Sequence, residues 1–189
     1  MRSKLIIALA VLGFSLPAMA QVRAPFEGGR SDFTIGGGID YWKGDWSKIA
    51  RFGPSAWSTK EIWHGIGVIA EGHSMIAGGD AGASKYKYFA GEGGVIYNYE
   101  RFRRFVPYAK GELGFASLSF PHKVTSHYTH DTRNTWALGG GVEFALTRRI
   151  WTRIDYTYEG FPDFYSQVTG QHNTLDPNGV SVGATYHFR

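Results

Sequence analysis

Residues 133–160 read RNTWALGGGVEFALTRRIWTRIDYTYEG, and their reading decides the fold. Every second residue from Trp136 gives Trp136, Leu138, Gly140, Val142, Phe144 and Leu146. Between them lie Ala137, Gly139, Gly141, Glu143, Ala145 and Thr147. One set is mostly large and apolar, and the other is small and carries a carboxylate. Beyond a turn at Thr147-Arg148-Arg149 the alternation resumes. Ile150, Thr152, Ile154, Tyr156 and Tyr158 share one face, and Trp151, Arg153, Asp155, Thr157 and Glu159 share the other. A period of two sustained over about ten residues is a strand between two unlike environments. Strands in soluble sandwiches are usually shorter, about five or six residues. Strands of about ten residues with one apolar and one polar face, joined by a tight turn, are what a membrane-spanning barrel requires.

The same pattern extends outward. Six further strands are expected at residues 31–42, 51–58, 62–74, 85–99, 105–119 and 178–188. In the first, Phe33, Ile35, Ile39 and Tyr41 alternate with Thr34, Asp40 and Trp42. In the last, Val180, Val182, Tyr186 and Phe188 alternate with Gly179, Ser181, Thr185 and His187. The span 51–58 is the least regular because it holds Gly53-Pro54, and proline removes a ladder hydrogen bond. Short turns are expected at 59–61, 100–104 and 147–149, and long loops at 43–50, 75–84, 120–132 and 161–177. Short and long connections therefore alternate, which sorts them to opposite ends of an up-and-down barrel. The expectation is an all-β, eight-stranded antiparallel up-and-down transmembrane β-barrel.

The charges test that expectation. Asp40, Glu71, Glu92, Glu112, Glu143 and Asp155 all fall in the small or polar set, with Lys110 and Arg153 beside them. Charge facing lipid is untenable, whereas charge facing a closed interior can pair. An eight-stranded barrel is just wide enough for side chains to fill it. Lys110 and Arg153 are therefore expected to bridge several of these acids across the lumen, closing it to solutes; the rival expectation is a narrow porin-like channel. Trp42, Tyr99, Trp136, Tyr158 and Tyr186, near strand ends, are the expected members of aromatic girdles.

Composition and address agree. Gly accounts for 26 of 189 residues and aromatics for 16 %. There is no cysteine, and hence no disulfide framework. Residues 1–20 read as an export signal: Arg2 and Lys4, an apolar run over 5–16, then Ala18-Met19-Ala20. Residues 21–30 form a Pro- and Gly-containing lead-in, and 31–189 the barrel domain. Without Arg2 and Lys4, the 20 basic residues fall to 18 against 16 acidic, a balance that argues against a nucleic-acid partner.

No constellation specifies chemistry. His122, His127, His130 and Asp131 lie in the expected loop 120–132, a poor preorganised metal site, and no metal or cofactor is expected. Ser181 and His187 share the last strand but stand too far apart for a nucleophile and its base, and the neighbours His73 and Ser74 point to opposite faces. No catalytic triad emerges, and an enzyme is not expected. The triplets Gly36-Gly37-Gly38 and Gly139-Gly140-Gly141 interrupt strands with no helix following, which suits tight curvature and close packing rather than a phosphate loop.

With stretches such as FVPYAKGELGFA (105–116) and WALGGGVEFALTRRIWTRIDYTY (136–158), the chain resembles the bacterial outer-membrane β-barrel family, in particular its small OmpA/OmpX-type eight-stranded domains. The resemblance covers the mature chain. It implies a monomer in the outer membrane, among lipid and lipopolysaccharide, inserted by the barrel-assembly machinery. It also implies a structural or surface-interaction role, with any extracellular ligand met by the long loops. Family members usually end in an aromatic residue read during assembly; here Phe188 is penultimate to Arg189. No peptidoglycan-binding domain is expected after the eighth strand.

Overall fold

The computed structural model describes residues 33–43, 50–77, 86–102, 104–119, 130–166 and 171–188. The expected export signal and lead-in, His122, His127 and most of the first three long loops lie outside the described residues. All regular structure among them is β: β1 (Phe33–Lys43), β2 (Ala50–Trp63), β3 (Ile66–Ala77), β4 (Tyr86–Asn98), β5 (Phe105–Ser119), β6 (His130–Ala145), β7 (Ile150–Ser166), β8 (Gln171–Leu175) and β9 (Asn178–His187). No helix is long and apolar enough to cross a membrane.

Eight of these strands close into a barrel. Each of β1 to β7 pairs antiparallel with its successor, except that β7 meets β9 as well as β8, and β9 returns to β1. The seam runs from Thr34↔His187 to Lys43↔Asn178 and joins the two ends of the described chain. Closure gives every barrel strand two neighbours, so no row of unpaired backbone groups meets lipid. β8 pairs only with the outer part of β7, from Phe161↔Leu175 to Ser166↔Gln171. Expected as loop throughout, 161–177 thus contains a hairpin that carries β7 past the barrel. Backbone groups beyond the rim still need partners, and pairing supplies them. His130, Asp131 and Thr132, expected in a loop, likewise begin β6 and continue its ladder with β5.

The connection after β2 also differs from the expected turn at 59–61. Thr59, Lys60 and Glu61 lie within β2, and the chain reverses at His64-Gly65, with Trp63 opposite Ile66. Both turn residues have positive φ, 43° and 81°, the left-handed pair that a two-residue hairpin needs. Pro54 is accommodated because the β2–β3 ladder skips Gly53 and Pro54 between Phe52↔Ile76 and Ser55↔His73.

The faces are inverted relative to a water-soluble protein. Asp40, Arg51, Glu71, His73, Glu92, Lys110, Glu112, Glu143, Arg153, Asp155 and Glu159 are buried in the lumen. Ile39, Phe52, Ile62, Val95, Leu113, Leu138 and Val182 are exposed on the outside. An apolar outer face this extensive fits hydrocarbon, not water. Aromatic contacts gather at the short-turn end, where Phe102 stacks on Phe105 with ring centres 4.4 Å apart and Phe33 meets Phe188 at 5.3 Å. Tyr99 is exposed, and Trp136, Tyr158 and Tyr186 are half-buried. Trp42 is not a girdle residue. Its parity in β1 matches Asp40, so it turns inward and is buried, with Gly179 leaving the space for its ring.

Candidate functional site in the lumen

Four strands, β2, β3, β5 and β7, converge on Arg153. Its guanidinium donates to Asp155 Oδ2 at 2.5 and 2.8 Å, to Glu71 Oε1 at 2.9 Å and to the Tyr108 hydroxyl at 2.6 Å. It also lies over the rings of Trp57, at 4.5 Å, and Tyr108, at 4.9 Å. The Tyr108 hydroxyl in turn donates to Asp155 Oδ2 at 2.7 Å. Lys110 completes the group: it donates to Glu71 and lies 3.1 Å from Glu112 and 3.9 Å from Asp155. Two cations are thus shared among three acids, so most of the charge taken out of water is compensated locally.

Small residues make this arrangement possible. A Cβ on Gly139 would fall 2.8 Å from the Lys110 side chain, and one on Gly36 or Gly183 would collide with the Trp57 ring. The glycine-rich strands are notches for long inward side chains, in a barrel too narrow to hold them otherwise.

Of the eight charged residues singled out in the sequence, the structure gathers Glu71, Lys110, Glu112, Arg153 and Asp155 into this one network. The other three form satellites. Asp40 Oδ2 lies 2.6 Å from His73 Nδ1, and Asp40 Oδ1 accepts from Ser55 at 2.7 Å. Glu92 Oε1 accepts from Thr135 at 3.0 Å. Glu143 accepts from Thr185 at 3.2 Å and lies 3.8 Å from His187. His73, Tyr88, Tyr108 and Glu159 belong to the lumen chemistry but were not singled out. His73 and Glu159 shared the inward parity, which was the signal that could have found them.

Apolar side chains gather inside the barrel toward the long-connection end. Trp42, Met75, Tyr88, Ala90, Ala116 and Phe161 form a buried cluster there. A second cluster, Ile69, Ile96 and Tyr108, flanks the network. The Ser181–His187 pair weighed as a hydrolytic couple does not come together: His187 instead lies against the Trp151 ring at 4.9 Å.

A closed barrel of eight antiparallel strands, charged within and apolar without, defines an integral outer-membrane β-barrel. Residues 6–188 match the family described as outer membrane protein beta-barrel domain, and the chain belongs to that family. Its place is the outer membrane of a Gram-negative-type bacterium. Comparison with curated protein sequences finds no match. Three solved structures share the fold. Neisserial surface protein A is 15 % identical, with 85 % of this chain and all of that one covered at a TM-score of 0.67. The outer membrane protein OprG of Pseudomonas aeruginosa is 14 % identical, with 85 % and 97 % covered at 0.57. The attachment invasion locus protein Ail of Yersinia pestis, solved with the heparin analogue sucrose octasulfate, is 19 % identical, with 85 % and 99 % covered at 0.55.

Proposed function

We propose that this protein is a closed, non-enzymatic outer-membrane barrel with a structural or surface-interaction role, its lumen plugged by the charged network and its binding carried by the long connections. The observation that carries this reading is the Arg153–Glu71–Lys110–Asp155 group, which spans the lumen between β3, β5 and β7. Rings of Trp57 and Tyr108 fill the space that the ions leave. A rigid barrel presenting variable connections at one end is the scaffold on which surface binding evolves. The structural likeness to Ail, solved with a sulfated ligand, supports testing such an extracellular partner here. In this reading residues 1–20 direct export, residues 21–30 lead into the barrel, and the turn at 147–149 faces the periplasm, where the assembly machinery receives the chain.

Planar-bilayer recording on the purified barrel tests the plug. The expected result is no large stable conductance; a steady open level would favour the narrow pore instead. Deletions within 44–49, 78–84, 120–129 and 167–170, assayed for cell adhesion and binding of sulfated glycans, test the surface role. Unchanged binding in all four, with the barrel folded, would remove it.

A further inference from the structure

We propose that His73, Glu92 and Glu159 form a buried binding site for a divalent first-row transition ion of the Zn²⁺ class, set beneath the apolar end of the lumen. The three come from β3, β4 and β7 and meet across the interior. One ligating atom from each lies within 4.8 Å of the other two, and all three side chains are more than nine-tenths buried.

Their hydrogen bonding points the same way. Each of the three has one polar atom engaged and the other left without a protein partner. His73 Nδ1 is held by Asp40, whose other oxygen accepts from Ser55, while Nε2 has no partner. Glu92 Oε1 accepts from Thr135, while Oε2 has none. Glu159 Oε2 accepts from the Tyr88 hydroxyl, while Oε1 has none. A buried polar atom without a partner is costly, and three from one cluster call for a shared one. The arrangement is that of a metal site: each ligand is oriented by a second group, and a carboxylate on Nδ1 leaves the Nε2 lone pair to a metal.

Charge supports the same reading. Lys110 and Arg153 are taken by Glu71, Glu112 and Asp155. Among the described residues, neither Glu92 nor Glu159 has a Lys or Arg nitrogen within ion-pair distance. A divalent cation neutralises two carboxylates, and a set of one imidazole and two carboxylates suits Zn²⁺ or Mn²⁺ better than the all-oxygen shells of Ca²⁺ and Mg²⁺. Ligand atoms around a tetrahedral Zn²⁺, at about 2.1 Å from it, stand about 3.4 Å apart. Binding would therefore draw the set together by up to about 1.4 Å, within rotamer adjustment of two glutamates. Above the site the Trp42 ring meets His73 edge-on at 5.6 Å, and Phe161 meets Tyr88 at 6.3 Å. These rings keep water out and would make exchange of the ion slow.

The test uses the full-length barrel extracted from outer membranes in detergent, with Zn²⁺ supplied and excess removed by EDTA. Metal analysis should find about one Zn²⁺ per folded barrel. His73→Gln and Glu159→Gln should each lower that content at least tenfold. The loop variant His122→Ala/His127→Ala should retain it. Folding is followed separately by heat-modifiable migration on gels. Folded wild-type protein without metal would overturn the proposal, as would folded His73→Gln that keeps its metal. Should the lumen variants fail to fold, Zn X-ray absorption of the wild type decides. A shell of one imidazole with carboxylate oxygens supports the site, and a shell of several imidazoles overturns it.

Discussion

Two groups of buried charge share one lumen and are satisfied differently. Around Arg153, acids and bases are interleaved: Glu71 and Asp155 each meet both cations, and Tyr108 ties two of the members together. Around His73, the acids Asp40, Glu92 and Glu159 meet neither Lys110 nor Arg153; hydroxyls of Ser55, Thr135 and Tyr88 hold one side of each and leave an opposite side open for two of them. The first group pairs its acids with cations of the protein itself, although Arg153 Nη1 and the Glu112 oxygens make no hydrogen bond. The second is organised around a point that no side chain occupies, as a binding site must be. The difference teaches that burial of charge alone does not distinguish a structural core from a site, and neither does a count of unmet polar atoms; what does is whether the unmet acids face a cation of the protein, as Glu112 faces Lys110, or face one another, as Glu92 and Glu159 do.

Mutations can break that comparison. The largest effect belongs to Arg153→Met, which strands Glu71 and Asp155. Removing one partner of a buried ion pair typically costs about 3–5 kcal/mol, and urea unfolding in lipid vesicles, followed by tryptophan fluorescence, should show a loss of that size. Adding Glu71→Gln should recover part of it, with a coupling of about 0.5–3 kcal/mol in the double-mutant cycle. Next comes Leu113→Arg, which adds a cation on the outside of the strand whose inner face carries Lys110. A charge on the lipid face near mid-membrane costs about 2–4 kcal/mol, so the same unfolding assay should report a drop in that range. Thr135→Val takes one hydroxyl from Glu92 and should cost about 1.5 kcal/mol while lowering metal retention. That variant sharpens the contrast, because its stability loss should be smaller than that of Arg153→Met. The smallest effect is expected outside both groups. His64→Asn, at a positive φ that Asn tolerates better, should raise stability by about 0.5 kcal/mol.

Much of the fold was legible because alternation in a barrel strand reports directly on its two environments. Asp40, Glu71, Glu92 and Glu112 share an inward parity that needs no knowledge of neighbours. Reversals were harder to place. His64-Gly65 lacks the Asn-Gly or Asp-Gly signature, while the polar run Thr59-Lys60-Glu61 looks like a turn, yet it stays in the ladder between β1 and β3. The outer part of β7 was hidden by Pro162 and by polar residues, since beyond the membrane a strand has no apolar face to announce it. Partnerships across the lumen were the least accessible. Parity says that His73 and Glu159 point inward, but which strands confront each other depends on the stagger of eight registers. Trp42 misled for a related reason: an aromatic near a strand end fits a girdle, and only its parity with Asp40 sets it inside.

The seam between β1 and β9 has a consequence for chain order. Because Phe33 and Phe188 lie in ring contact, the barrel from β1 to β9 is nearly circular in space although linear in sequence. A short linker joining these ends should permit circular permutation, with new termini opened at 64–65 and the same strand neighbours preserved. In such a permutant the last strand made would be β2 rather than β9, while the lumen stayed as it is.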